Sequence, residues 1–199
     1  MSYDIPRKAV IDEYIIKKSR FITHIQRAQD KQAALAFIAT IKNQYPDARH
    51  HCWAYIAGHP TETIAIASSD DGEPQGTAGK PMLNVLQHQN IGEIVMVIVR
   101  YFGGIKLGAG GLVRAYSHAA NQAMTLLETE LLTTKKALRL RFDYTLEKRV
   151  VHFCTEHQIT IVETTYAERI NMMIEVDEKE ASAVEVQLHD LTSGKMTVL

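Results

Sequence analysis

The chain has only two cysteines, Cys52 and Cys154, far apart in sequence and without a CxxC spacing. That excludes a zinc ribbon, a thioredoxin-type motif and a disulfide framework, so two free thiols and a reducing, cytoplasmic setting are expected. No apolar run approaches the roughly 20 residues of a membrane span. The first residues, "MSYDIPRKAVIDEY", include acidic residues and lack an apolar core, so neither a signal peptide nor a membrane partner is expected. Neither sign of charge is in excess, with 22 Lys/Arg against 23 Asp/Glu. A strongly basic nucleic-acid coat is therefore excluded. Residues 1–135 carry 14 Lys/Arg against 12 Asp/Glu, and residues 136–199 carry 8 against 11, so any polyanionic partner belongs with the first part. There is no GxSxG elbow and no HExxH, which removes the usual hydrolase signatures.

Glycine is nearly absent after Gly111, where only Gly194 remains, yet nine of the eleven fall between Gly72 and Gly111. This imbalance divides the chain. Before it, "DEYIIKKSRFITHIQRA" reads as an edge strand or hairpin. "DKQAALAFIATIKNQYP" reads as a helix capped by Asp30, with Ala34, Leu35, Ile38 and Ile41 on its apolar face. "ARHHCWAYIAG" alternates as a strand, with His51, Trp53 and Tyr55 opposite Cys52, Ala54 and Ile56. "TETIAIASS" is a further strand and residues 81–88 a short helix. "GEIVMVIVRYF" is a near-continuous apolar run, as expected of a central strand buried on both faces. A helix follows with Leu112, Val113, Tyr116, Ala119, Ala120, Ala123, Met124 and Leu127 inward.

From about residue 136 the pattern restarts. "KALRLRFDY" predicts a strand, "TLEKRVVHFCTEHQ" a helix opened by Thr145, and "ITIVETTYA" with "RINMMIEV" a hairpin. "DEKEASAVEVQLHDLT" predicts a helix with acids in its first turn, and "KMTVL" a last strand. The order β-α-β-β-α-β is the split βαβ, ferredoxin-like unit. "ETELLTTKK" reads as a linker, giving two α+β domains over 1–132 and 133–199.

The densest glycine stretch is "RYFGGIKLGAGGLVRAYSHAA", where five glycines occupy the nine positions 103–111. A strand, a glycine-rich turn and a helix N-terminus place unpaired N–H groups and the positive end of a dipole at one spot. Neither a Walker spacing nor GxGxxG fits. The glycines therefore serve either as a tight turn that lets the helix pack or as a backbone cradle for an anion. Basic residues favour the cradle: Arg100 ends the strand, Lys106 lies in the loop and Arg114 is expected in the first helical turn. The candidate phosphate contacts are Arg100, Gly103, Gly104, Lys106, Gly108, Gly110, Gly111 and Arg114, flanked by Lys80, Arg49 and His50. Tyr101, Phe102 and Tyr116 are candidates for stacking on bases, or core.

In "SSDDGEPQGTAGKPM", Asp70, Asp71 and Glu73 suit either a hard cation such as Mg²⁺ or a turn in which Asp caps its own backbone. His50, His51 and Cys52 alternate in direction along a strand and cannot converge on one metal. No metal site is expected.

"ARHHCWAYIAG", "SSDDGEPQGTAGKPML" and "VRYFGGIKLGAGGLVRAYSHAA" closely resemble the IMPACT family in its bacterial YigZ type, over residues of about 17–130. The resemblance implies a first domain with the fold of domain IV of elongation factor G, that is, ribosomal protein S5 domain 2-like. It implies a second domain like domain V of that factor. It also implies a link to regulation of translation. No catalytic residue and no cofactor is carried over. The leading expectation is a non-enzymatic protein that binds RNA or the ribosome. The alternatives are an enzyme handling a small phosphorylated molecule with Mg²⁺ on Asp70 and Asp71, and a module binding a translation factor or other protein through the open sheet face of the second domain.

Overall fold

The computed structural model describes residues 2–61 and 65–199. The chain runs β1 (Tyr3–Pro6), β2 (Val10–Ile16), β3 (Ser19–Arg27), α1 (Lys31–Gln44), β4 (His50–Ile56), β5 (Ile66–Ser69), α2 (Gly79–His88), β6 (Ile94–Tyr101), α3 (Ala109–Thr125) and β7 (Thr129–Leu132). It continues with β8 (Lys135–Phe142), a 3-10 turn (Tyr144–Leu146), α4 (Glu147–Glu156), β9 (Thr160–Tyr166), β10 (Ile170–Asp177), α5 (Ala181–Leu191) and β11 (Thr197–Val198). Part of the expected "TETIAIASS" strand, residues 62–64, lies outside the described residues. The chain separates into two compact units, Tyr3–Leu132 and Thr133–Leu199, with Ser2 grouped with the second. Among the described residues no helix is long and apolar enough to cross a membrane.

In the first unit five antiparallel strands lie in the order β2-β3-β6-β4-β5. The apolar run at 94–99 takes the middle, because only a central strand covered on both faces can use apolar residues at successive positions. Ile94, Met96 and Ile98 pack under α2 and α3 with Met82, Leu86, Tyr116 and Ala120. Val95, Val97 and Val99 pack under α1 with Ala34, Ile38 and Ile41. Full burial of each such side chain contributes about 1.5–3 kcal/mol, so this strand anchors both layers. Cys52 and Ala54 face the first layer and Tyr55 the second, as alternation requires. Asp30 caps α1 by accepting the Ala33 N–H at 2.8 Å.

Several expectations need correction. Leu35 and Val113 are exposed, not core; Val113 lines an open groove with residues of α2. The stretch expected as a linker instead forms β7, paired antiparallel with β1 from Tyr3↔Leu132 to Pro6↔Thr129. Strand partners so remote leave no local signal. Thr145 does not open α4, because the 3-10 turn precedes it and no side chain caps the helix. α5 begins at Ala181 after a turn in which the Glu180 N–H meets the Asp177 carbonyl, so the acids precede its first turn.

The second unit has strand order β11-β8-β10-β9, antiparallel throughout, with α4 and α5 on one face. This is the split βαβ arrangement. Its core joins Leu138, Leu140, Phe142, Met172 and Ile174 to Val150, Phe153 and Leu188. Cys154 lies in that core, and both cysteines are free and buried.

The glycines of the first unit have distinct physical reasons. A Cβ on Gly103 would lie 1.9 Å from the Lys18 carbonyl carbon, so the loop crosses the β2–β3 turn in direct backbone contact. Gly104 and Gly108 have φ of +86° and +73°, the left-handed region that side chains disfavour. A Cβ on Gly111 would press Leu107 at 3.1 Å. Gly110 differs: a Cβ there would meet nothing nearer than the Arg114 guanidinium at 3.7 Å. It is helical and unobstructed, and packing does not require it.

Asp70 holds the start of α2. Its carboxylate accepts the N–H groups of Gly76, Ala78 and Gly79 at 2.7, 2.9 and 2.8 Å. Burial works against its ionised form, but these three donors outweigh that and hold its carboxyl below the usual range.

Two predictions follow from these contacts. Gly103→Ala should lower stability by about 1–3 kcal/mol or more through overpacking, whereas Gly110→Ala should leave it unchanged or raise it by about 0.5–1 kcal/mol. Thermal denaturation of both variants checks this contrast, and equal effects would contradict it. Asp70→Asn should cost about 1 kcal/mol or more at pH 7, as loss of a helix cap does. Because folding depresses the Asp70 pKa, its contribution is complete above the unfolded value near 4 and disappears as pH falls through the folded value. The stability difference between wild type and variant should therefore shrink on acidification below about pH 4; a difference that grows there would show the sign wrong.

Candidate functional site

Where β6 ends and α3 begins, the first unit has a cleft of about 580 Å³. β4 supplies His50, preceded by Arg49; the loop after β5 supplies Glu73; β6 supplies Arg100; and Lys106 and Gly108 come from the glycine loop. Strand pairing sets His50 opposite Arg100 at one sheet end, although the segments at the cleft span about sixty positions of chain, from Arg49 to Gly108.

Arg100 lies at the inner end of this group, with only 7% of its side chain exposed. Nη1 donates to Glu73 Oε1 at 2.6 Å, and the Tyr116 hydroxyl donates to the same oxygen at 2.9 Å. Nε finds no hydrogen-bond partner among the described residues. The guanidinium carbon lies 5.6 Å from the Phe21 ring centre and 5.8 Å from that of Phe102, within cation–π range. Behind it, Cys52 Sγ is 3.2 Å from the Tyr116 hydroxyl and 2.9 Å from the Asp70 carbonyl. Burial pushes the Cys52 thiol up to about 12 and the Tyr116 phenol well above its ordinary value. Cys52 is thus a protonated structural thiol, since nucleophilic chemistry needs the thiolate.

The start of α3 has Gly108 as N-cap and no capping side chain. The first-turn N–H groups therefore lack both intrahelical acceptors and a cap. Lys106 lies exposed just before them. His50 Nδ1 donates to the Asp71 carbonyl at 3.1 Å, which orients the ring. The Tyr101 hydroxyl donates to Asp47 Oδ1 at 2.9 Å. Phe102 is 56% exposed beside the cleft.

The structure thus brings Arg49, His50, Arg100, Lys106 and Gly108 to one cleft. Lys80 is elsewhere, in a groove between α2 and α3 with Asn84 and Asn121. Arg114 is in the second turn of α3, not the first, because the helix begins at Ala109. Its guanidinium comes back beside Gly110. Tyr116 is fully buried and cannot stack on a base. Asp70 and Asp71 do not present free carboxylates for Mg²⁺. Asp70 is taken by three backbone donors, and Asp71 accepts Lys42 Nζ at 2.8 Å and the His51 N–H at 2.9 Å. Among the described residues no three metal-ligating side chains converge. Nothing in the sequence pointed to Asp47, and Glu73 was expected there only as part of a hard-cation site or of a turn. Glu73 is 27 residues from Arg100, and no local pattern announces such a pair.

Residues 17–124 match the Impact N-terminal domain, and residues 140–195 match a domain of unknown function, DUF1949. An IMPACT family member from Haemophilus influenzae is 44% identical over 196 residues, covering 98% of this chain and 95% of its own length. The IMPACT family member YigZ of Escherichia coli is 46% identical over 162 residues, covering 81% and 74% respectively. A crystal structure of a hypothetical protein has a TM-score of 0.70 at 37% identity, covering all of this chain and 96% of that one. With both units matched in order and a relative aligned over nearly its whole length, the chain belongs to the IMPACT family.

Proposed function

We propose that this IMPACT family protein acts in regulation of translation by binding RNA, with the RNA phosphate held in the cleft between β4, the end of β6 and the start of α3. The observation that carries this reading is Arg100: more than nine-tenths buried, it lines a cleft at an uncapped helix N-terminus and uses one of its five N–H donors on Glu73. Guanidinium donors and first-turn amides are the groups that phosphate oxygens accept from. Arg49, His50 and Lys106 add positive or donating groups around the cleft, and the exposed Phe102 ring offers a face for a base. Gly110 leaves the first turn of α3 open where packing does not demand it. These features support binding of an anionic ligand.

The test is binding of a short single-stranded RNA at several salt concentrations. Lys106→Ala and Arg49→Ala should each weaken binding by about 1 kcal/mol or more, as loss of a charged hydrogen bond does. Each should flatten the salt slope by about 0.7, the value for one fewer contact to a single strand. Lys80→Ala, in the other groove, should change neither. Unaltered binding by folded Lys106→Ala and Arg49→Ala at every salt concentration would overturn the proposal.

A further inference from the structure

A cleft suited to phosphate should not need carboxylates, yet this one has Asp47 and Glu73 on its walls. Like charges facing a polyanion are unfavourable. Asp47 is exposed, with Oδ1 taken by Tyr101, and water screens it. Glu73 is different, because only 3% of its side chain is exposed. Oε1 receives both Arg100 Nη1 and the Tyr116 hydroxyl, whereas Oε2 receives no hydrogen bond among the described residues. A carboxylate present only to neutralise Arg100 would be expected to meet it through two parallel bonds, the strong geometry for this pair. Here the contact is single. Among the described residues Arg100 makes no other side-chain hydrogen bond and Glu73 Oε2 accepts none; Arg100 Nε is sealed from solvent, so the donors that face the cleft are those on its terminal nitrogens.

The cleft wall therefore offers hydrogen-bond donors and an acceptor on two neighbouring, nearly buried side chains. A DNA phosphodiester supplies acceptors alone and leaves the Glu73 oxygen desolvated and unpaired. A ribonucleotide supplies both, since its 2′-hydroxyl is a donor close to the phosphate. From this we infer that the cleft selects ribose: the 2′-hydroxyl of the bound nucleotide donates to Glu73 Oε2 while its phosphate meets Arg100 and the start of α3. Glu73 is then the residue that distinguishes RNA from DNA. This inference rests on the phosphate reading above and adds the sugar to it. The Tyr116 and Arg100 contacts hold Glu73 in place, so its free oxygen needs little reordering to accept the hydroxyl. A buried charged acceptor left unpaired discriminates strongly.

The experiment compares three oligonucleotides of one sequence on the wild-type protein: RNA, DNA and 2′-fluoro RNA, which keeps the ribose pucker but lacks the donor. RNA should bind roughly 10-fold or more tightly than either of the others, the range for a hydrogen bond to a charged group. Glu73→Gln, with folding checked by thermal denaturation, should shrink the RNA advantage by strengthening DNA binding; a purely structural role would weaken both alike. If that variant fails to fold, the wild-type comparison decides alone. Equal binding of all three, or RNA equal to 2′-fluoro RNA with both above DNA, would overturn the ribose inference while leaving the phosphate reading intact. No binding of any of them at low salt would overturn both.

Discussion

The buried contact between Arg100 and Glu73 organises the first unit. It joins the C-terminal end of the central strand to the loop after β5, at the place where α3 starts. Two opposite charges with 7% and 3% of their side chains exposed have lost most of their hydration, and such a pair gains little over well-packed apolar residues. Removing one partner is another matter, costing about 3–5 kcal/mol because a buried charge is left alone. An arrangement with so little net benefit to folding points to what else the charges do. Tyr116 and Cys52 extend the contact into the core beneath α3, so the guanidinium is held on rigid elements and not on a mobile loop.

That rigidity begins with β6. Its apolar residues hold α1 on one face and α2 with α3 on the other. The strand emerges from the core at Arg100, and Gly103 then wedges against the Lys18 backbone to turn the chain. Gly104 and Gly108 supply the backbone conformations that complete the loop, and α3 starts where no side chain covers its amides. The loop after β5 is fixed separately by Asp70, whose three backbone bonds set the start of α2. Glu73 is carried on that same loop. The cleft is therefore the meeting point of three independently secured segments.

Much of this was legible in the sequence, and the reasons for the rest are specific. The continuous apolar run identified β6, the alternation at 50–56 identified β4, and the restart near 136 identified the split βαβ unit, because each pattern reflects local burial. The β1–β7 pair was invisible, since its residues are separated by most of the unit. Glycine spacing marked the loop but not the division of labour within it: Gly103 packs, Gly104 and Gly108 turn, and Gly110 remains open. The basic residues were recognised by type, yet only geometry separated Arg49, His50, Arg100 and Lys106 from Lys80. Asp47 and Glu73 escaped notice as parts of the site because an acid beside a cationic cluster has no sequence signature.

In the proposed function the start of α3 and its basic surroundings hold the phosphate of RNA. Backbone amide chemical shifts, followed during titration with a short single-stranded RNA, test this at the site itself. The largest changes should fall on Ala109, Gly110 and Gly111 and on the neighbouring Lys106, and added salt should reverse them. Saturable binding with those amides unmoved, and shifts confined to the α2–α3 groove around Lys80 or to the second unit, would contradict it.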